Sequence, residues 1–171
     1  MTAKTIWLTG LSGAGKSTIA LSLKSKMDKQ FIPCVILDGD ILRSGLNKDL
    51  GFKNDDRSEN IRRAAETAKI INDSGIHVIV AMISPFKSDR LNAKNLVGSG
   101  RFIEIHVSTP LEICESRDPK NLYRLVRSGA IQNFTGISSP YEVPDAPDLI
   151  FDTSVVSLDI VSDSLFALMQ G

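Results

Sequence analysis

The sequence predicts an α/β fold, a largely parallel five-stranded sheet with helices on both faces and a lid segment. Three observations lead there. Short apolar runs with strand character alternate with stretches of helical spacing, the pattern of a layered α/β domain. A glycine-rich loop joins the first run to an amphipathic stripe. The third run, Val78-Ile79-Val80-Ala81-Met82-Ile83, is apolar at every position, as a parallel strand covered on both faces should be. With 171 residues, 42% of them apolar, the chain fits one globular domain over 1–171, its lid at about 117–147.

The first strand is expected at 6–9. Ile19, Ala20, Leu23 and Met27 then fall on one face of a helix. A second strand at 34–37 runs into Leu37-Asp38-Gly39-Asp40. The next helix opens with Asp55 and Asp56 and carries Arg62 and Arg63 later, an order that agrees with the helix macrodipole. Within it Glu59 and Arg63 are spaced for an i,i+4 ion pair, and Ile61, Ala64, Ala65, Ala68 and Ile71 form the buried stripe. The third strand is expected at 76–83 and, from its unbroken apolar character, is the best candidate for a central strand. A fourth follows at 102–107 and a fifth at 149–151, with His77 and His106 read as sheet residues. Between the last two strands, Pro119, Gly129, Gly136, Pro140, Pro144 and Pro147 leave room for one short helix near 122–128. So long an irregular connection in a compact domain is either a packed surface loop or a lid.

Twenty basic residues balance twenty acidic ones, which removes the overall field that nucleic acid or an anionic membrane would require. An anionic ligand must therefore be held by a local cluster. Cys34 and Cys114 stand in no CxxC or Cys/His spacing and read as buried thiols of a reducing compartment. No apolar run approaches the length of a membrane span or a signal segment, so the expected location is cytoplasmic.

The chemistry begins at Gly10-Leu11-Ser12-Gly13-Ala14-Gly15-Lys16-Ser17, which matches GxxxxGK[ST] between a strand and a helix, the context that motif requires. Its glycines let backbone N–H groups turn inward around phosphates, and the start of the helix adds its positive end. Lys16 is then placed to neutralise the β- and γ-phosphates and Ser17 to ligate Mg²⁺. No NKxD-type motif for reading guanine is present, so ATP is the expected nucleotide.

Asp38 and Asp40 should project from the carboxyl edge of the sheet, where ligands of open α/β folds collect. A carboxylate there can take the proton of an acceptor hydroxyl or fix a water on Mg²⁺. The competing reading is an Asp-Gly turn with Asp40 as helix N-cap. Arg57 and Asn60, three apart on one helical face, could grip an anion or merely form a solvated face. Arg43 and Phe52 would complete an acceptor pocket with a guanidinium and an aromatic surface.

Taken in order, GLSGAGKST (10–18), LDGDILR (37–43), GLNKDLGF (45–52), DRSENIRR (56–63), ISPF with Asp89-Arg90, RDPKNLY (117–123), FTGI (134–137) and SPYE (139–142) resemble the adenylylsulfate kinases, or APS kinases, of the P-loop kinase fold. These enzymes transfer the ATP γ-phosphate to the 3′-hydroxyl of adenosine 5′-phosphosulfate (APS). The resemblance implies that Asp40 is the base or orienter for that hydroxyl and that Asp38 helps arrange Mg²⁺ through water. It assigns ATP to Gly10, Ser12 to Thr18 and Arg117, with Ala14 and Gly15 inside that run, and the acceptor's phosphosulfate to Arg43, Arg57 and Asn60. Phe52 and Phe134 would sandwich the acceptor adenine, the backbone of Ile83 and Ser84 would line the same pocket, and Lys120 would approach the phosphates from a mobile lid. Ser84 also matches a serine phosphorylated in some members, with a structural role at a strand end as the other reading. A homodimer is implied by the resemblance alone.

The lid departs from the common KGLYKKARAGEIKxFTGI-like run, since 120–134 lacks two of its lysines, a glycine and an acidic residue; Ile41 replaces a frequent Asn. Two other functions stay open at this point. One is a related kinase with another nucleotide acceptor, such as a cytidine diphosphoramidate used in capsule synthesis. The other is a non-catalytic nucleotide-binding module.

Overall fold

The computed structural model describes residues 2–170. Its elements, in chain order, are β1 (Thr5–Thr9), α1 (Lys16–Lys29), β2 (Cys34–Asp38), α2 (Gly39–Ser44), α3 (Asn54–Asp73), β3 (His77–Ala81), α4 (Lys87–Val97), β4 (Phe102–Val107), α5 (Leu111–Arg117), α6 (Leu122–Arg127), β5 (Leu149–Phe151) and α7 (Leu158–Gln170). The five strands form one sheet in the order β2-β3-β1-β4-β5, parallel at every pairing. Side chains alternate across it. Ile6, Leu8, Ile79 and Ile105 pack under α1 and α7, while Trp7, Val78 and Val80 pack under α3 and α4. Burial on both faces is why the inner strands read as continuous apolar runs.

β3 is an interior strand, paired with β2 on one side and β1 on the other, as its apolar continuity predicts, and the middle strand is β1. Every residue of both strands is buried. The two threonines at the ends of β1 are satisfied internally: Thr5 Oγ1 donates to Asn72 Oδ1 at 2.6 Å and Thr9 Oγ1 to the Ile83 carbonyl at 2.6 Å. Continuity marks burial on both faces, which the interior strands share, and so it does not rank them.

β3 also stops two residues earlier than expected. Past Ala81 the chain bends toward the loop after β1, with Gly10 N–H donating to the Ile83 carbonyl at 3.3 Å. Ser84, at φ 49°, completes that bend. Trp7 Nε1–H donates to its hydroxyl at 3.0 Å, and Arg90 donates to its carbonyl at 2.7 Å while pairing with Glu104 at 2.8 Å.

The segment 118–147 contains α6 where a short helix was expected, and its two carboxylate oxygens at Asp118 accept the Tyr123 and Arg124 N–H groups that α6 leaves free. It runs across the carboxyl ends of the strands and is tied to them. Tyr123 donates its hydroxyl to the Ser12 carbonyl at 2.8 Å, Tyr141 and Thr9 share a hydroxyl pair at 2.9 Å, and Glu142 N–H meets the Pro85 carbonyl at 2.8 Å. Among the described residues, no helix is long and apolar enough to cross a membrane.

Candidate active site

β1 delivers Gly10 to the carboxyl edge of the sheet between β3 and β4, the two strands that diverge around it. The loop that follows is packed so tightly that side chains are excluded. A Cβ on Gly10 would sit 2.4 Å from the Val107 carbonyl oxygen, and one on Gly13, at φ 78°, 2.8 Å from that of Cys114. Behind the loop, Thr153 Oγ1 donates to the Ala14 carbonyl at 2.8 Å, and Thr109 Oγ1 reaches the same oxygen at 3.1 Å. Gly15 caps α1 with no side chain, so the first N–H groups of the helix remain directed at the loop's hollow, a ready anion site.

Lys16 is buried at the start of α1, its ammonium donating to the carbonyls of Gly10 at 2.8 Å and Leu11 at 2.6 Å. Burial lowers its pKa from 10.5 to about 8. The charge is therefore held at a cost that a phosphate would relieve. Next to it, Ser17 Oγ donates to Asp38 Oδ2 at 2.6 Å. A hydroxyl and a carboxylate at the mouth of a phosphate loop are hard oxygen donors of the kind Mg²⁺ takes together with phosphate oxygens and water. No group of three or more His, Cys, Asp and Glu side chains able to hold a metal occurs among the described residues, so such an ion would depend on the nucleotide for the rest of its shell.

The Asp-Gly-Asp turn does cap a helix, but through Asp38 and not Asp40. Asp38 Oδ1 accepts the Asp40 N–H at 2.9 Å, which fixes the start of α2. Asp40 is thereby left free, one residue inside α2, and its carboxylate pairs with Lys120 from the segment 118–147. Asp40 also lies close enough to Lys16 and Arg43 to raise the proton affinity of each.

Arg43 lies over the Phe52 ring, 4.5 Å from its centroid, and donates to the Gly51 carbonyl at 2.9 Å. Arg57, in the first turn of α3, donates through Nε to the Phe52 carbonyl at 2.9 Å and through its two other nitrogens to Asn133 O and Thr135 Oγ1. Neither guanidinium has a carboxylate partner among the described residues, and burial lowers the pKa of both. Arg57 is lowered further by Arg43. Two cations facing one space, neither of them ion-paired, define a place for an anion. Asn60, one turn after Arg57, is buried and shares that space.

Lys16, Ser17, Asp38, Asp40, Arg43, Phe52, Arg57 and Asn60 line a single cavity of about 1080 Å³. Lys16, Arg43, Arg57, Arg117 and Lys120 face it against only Asp38 and Asp40, so the neutral chain concentrates positive charge here. Ser12, Gly13, Gly15, Ser17, Thr18, Ile83 and Ser84 complete the expected set of lining residues. Gly10 and Ala14 stand behind the loop. Phe134 is buried edge-on against Tyr123, ring centroids 5.0 Å apart, whereas Phe52 is 64% exposed, so the two rings offer the cavity one fixed wall and one free one. The Ser84 hydroxyl is occupied by the Trp7 indole and buried, which presents no exposed acceptor for a phosphoryl group and fits the strand-end role.

Several participants carried no signal in the sequence. Thr109 and Thr153 brace the phosphate loop from strand ends 44 residues apart. Arg117 leans on the Thr153 hydroxyl at 2.8 Å, and Val156, Leu158 and Val161 extend the cavity beyond it as an apolar wall. Isolated threonines and valines match no motif, and only the sheet order brings them together.

The cavity thus has a phosphate loop at one end and an unpaired basic cluster at the other. Residues 2–152 match the family model described as adenylylsulphate kinase. The chain belongs to the adenylylsulphate kinase family. It is 56% identical to the adenylyl-sulfate kinase of Bacteroides thetaiotaomicron over 154 residues, 90% of this chain and 77% of that one. With the adenylyl-sulfate kinase of Marinobacter nauticus it shares 52% over 165 residues, 96% and 83% of the two chains. Among solved structures, an APS kinase of Mycobacterium tuberculosis in complex with AMPPNP and APS superposes with a TM-score of 0.95 at 42% identity, covering 99% of each chain. For an adenylylsulphate kinase, the departures noted in 120–134 fall on α6 and the mostly exposed stretch after it, while Tyr123 of α6 keeps its hydrogen bond to the Ser12 carbonyl of the phosphate loop.

Proposed function

We propose that this chain transfers the γ-phosphate of ATP to the 3′-hydroxyl of adenosine 5′-phosphosulfate, giving ADP and 3′-phosphoadenosine 5′-phosphosulfate. The observation that carries the reading is one cavity holding two anion sites of different construction with Asp40 in reach of both. Its volume lies at the top of the roughly 300–1,000 Å³ range of small-ligand sites. That suits two nucleotides at once.

The donor triphosphate lies in the loop 10–17, with Lys16 against its β- and γ-phosphates and its base toward Arg117, Val156 and Leu158. Ser17 directly and Asp38 through water would hold Mg²⁺, which when bound neutralises phosphate charge. The acceptor's phosphosulfate meets Arg43, Arg57 and the Asn60 amide, and its adenine slots between Phe52 and Phe134 beside the backbone of Ile83 and Ser84. Asp40 accepts the 3′-hydroxyl proton as the new O–P bond forms and the bond from the γ-phosphorus to ADP breaks. Catalysis of this kind comes from positioning and charge neutralisation rather than from covalent intermediates. Segment 118–147 acts as the lid. Lys120, paired with Asp40 in the ligand-free chain, shifts to the phosphates when both nucleotides are present, freeing the base.

The test is to incubate the protein with ATP, Mg²⁺ and each candidate acceptor and to follow ADP release. Rapid ADP release with APS is expected. Turnover of a cytidylyl compound with none of APS would overturn the acceptor, and no transfer to any acceptor would return the chain to a binding module.

A further inference from the structure

Asn47, in the turn after α2, does not line the cavity yet is fully buried. Its Nδ2 donates to Asn60 Oδ1 at 2.8 Å. Its own Oδ1 has no donor among the described residues. Leaving a buried carbonyl oxygen unpaired is unfavourable, and an apolar side chain would avoid that penalty. What the position retains is therefore the donor. The turn itself does not need the amide. Its backbone is closed by Asn47 N–H to the Leu42 carbonyl at 2.7 Å, and Arg63 of α3 staples the turn to that helix through Asp49 at 2.7 Å.

The consequence falls on Asn60. An amide carries its acceptor and its two donors on opposite sides. With Oδ1 taken by Asn47, the Asn60 NH₂ is the end left for the cavity, one turn along α3 from Arg57. Donors are what an anionic oxygen requires there. The opposite orientation would aim a carbonyl dipole at the anion and repel it.

We propose that Asn47 is a specificity-determining positioning residue, which locks the Asn60 amide so that its NH₂ faces the anion of the acceptor nucleotide. This rests on the acceptor end assigned above. Asn47→Asp is isosteric and turns the donor into an acceptor, so Asn60 must point its NH₂ at residue 47 and its carbonyl at the ligand. Asn47→Ala merely unlocks the amide.

Steady-state kinetics of Asn47→Asp, Asn47→Ala and Asn60→Ala, with KM read separately for APS and ATP, test the idea. The expected pattern is a rise in KM for APS of roughly tenfold or more in Asn47→Asp, a smaller rise in Asn47→Ala, and an unchanged KM for ATP. A packing role would reverse the order of the two variants or move both KM values together, and either result overturns the proposal. If Asn47→Asp does not fold, the ratio of the two KM values in Asn47→Ala decides alone, equal changes overturning it. Should Asn60→Ala leave KM for APS unchanged, the acceptor assignment itself fails; should Asn60→Ala raise it while both Asn47 variants do not, only the role of Asn47 fails.

Discussion

The two ends of the cavity are made of different material. At the donor end, ligand-facing groups are mostly backbone N–H groups and a helix start, set by the steric demands of Gly10 and Gly13 against the strand β4 and helix α5 behind them. At the acceptor end they are long side chains, Arg43, Arg57 and Asn60, held by hydrogen bonds to carbonyls and amides around them. A backbone site is rigid and reads only charge and shape. A side-chain site can be re-specified by few substitutions, which is where a family sharing one phosphate donor can diverge in what it phosphorylates.

The comparison is most severely tested where the ends meet. Asp40→Ala should lower kcat about 10³-fold, within the range of general-base losses, while leaving KM for ATP near its original value. A variant that retained transfer would remove Asp40 from the chemistry. At the donor end, Gly13→Ala forces a Cβ to within 2.8 Å of a carbonyl oxygen at a left-handed φ. Denaturant unfolding should show a loss of about 2–4 kcal/mol, accompanied by weaker nucleotide binding, because site and fold are the same backbone there. Arg57→Ala, at the other end, should separate the two: KM for APS rises roughly 10- to 100-fold, with KM for ATP barely moved. Equal changes in both constants would erase the distinction between the ends.

The mildest test is by pH. Burial holds Lys16 near 8 in the free chain, below its ordinary 10.5, so the ammonium penalises the free fold at lower pH. Stability from this group rises as pH climbs from about 8 to 10.5, where the unfolded chain binds the extra proton. Nucleotide reverses the sign, since phosphate favours the charged lysine. ATP affinity should fall by up to about tenfold per pH unit above 8, with proton uptake on binding seen by calorimetry in buffers of different ionisation enthalpy. Flat affinity across that range would mean that the lysine is charged throughout.

The same division explains what could be read without coordinates. The donor loop was legible because backbone geometry demands glycine at fixed spacing, and the helical stripes of α1 and α3 were legible because burial imposes a 3.6-residue period. That β3 lies inside the sheet was legible too, but the middle place of β1 was not, because β1 ends in two threonines whose hydrogen bonds to Asn72 and Ile83 only the fold supplies. Nor was the choice of cap between Asp38 and Asp40, two carboxylates one residue apart that composition cannot rank. Thr109, Thr153, Tyr141 and Arg90 act across 44 to 139 residues of chain, and contacts at that separation leave no local pattern.

Arg57 also ties the crossing segment to α3. At its near side Tyr123 of α6 donates its hydroxyl to the Ser12 carbonyl; at its far side one planar guanidinium binds both Asn133 and Thr135, and Tyr141 is fastened to β1 just beyond. A segment fastened to the phosphate loop, to α3 and to β1 makes each of those contacts part of the cavity's roof, so a substitution in any of them reaches the site without touching a ligand.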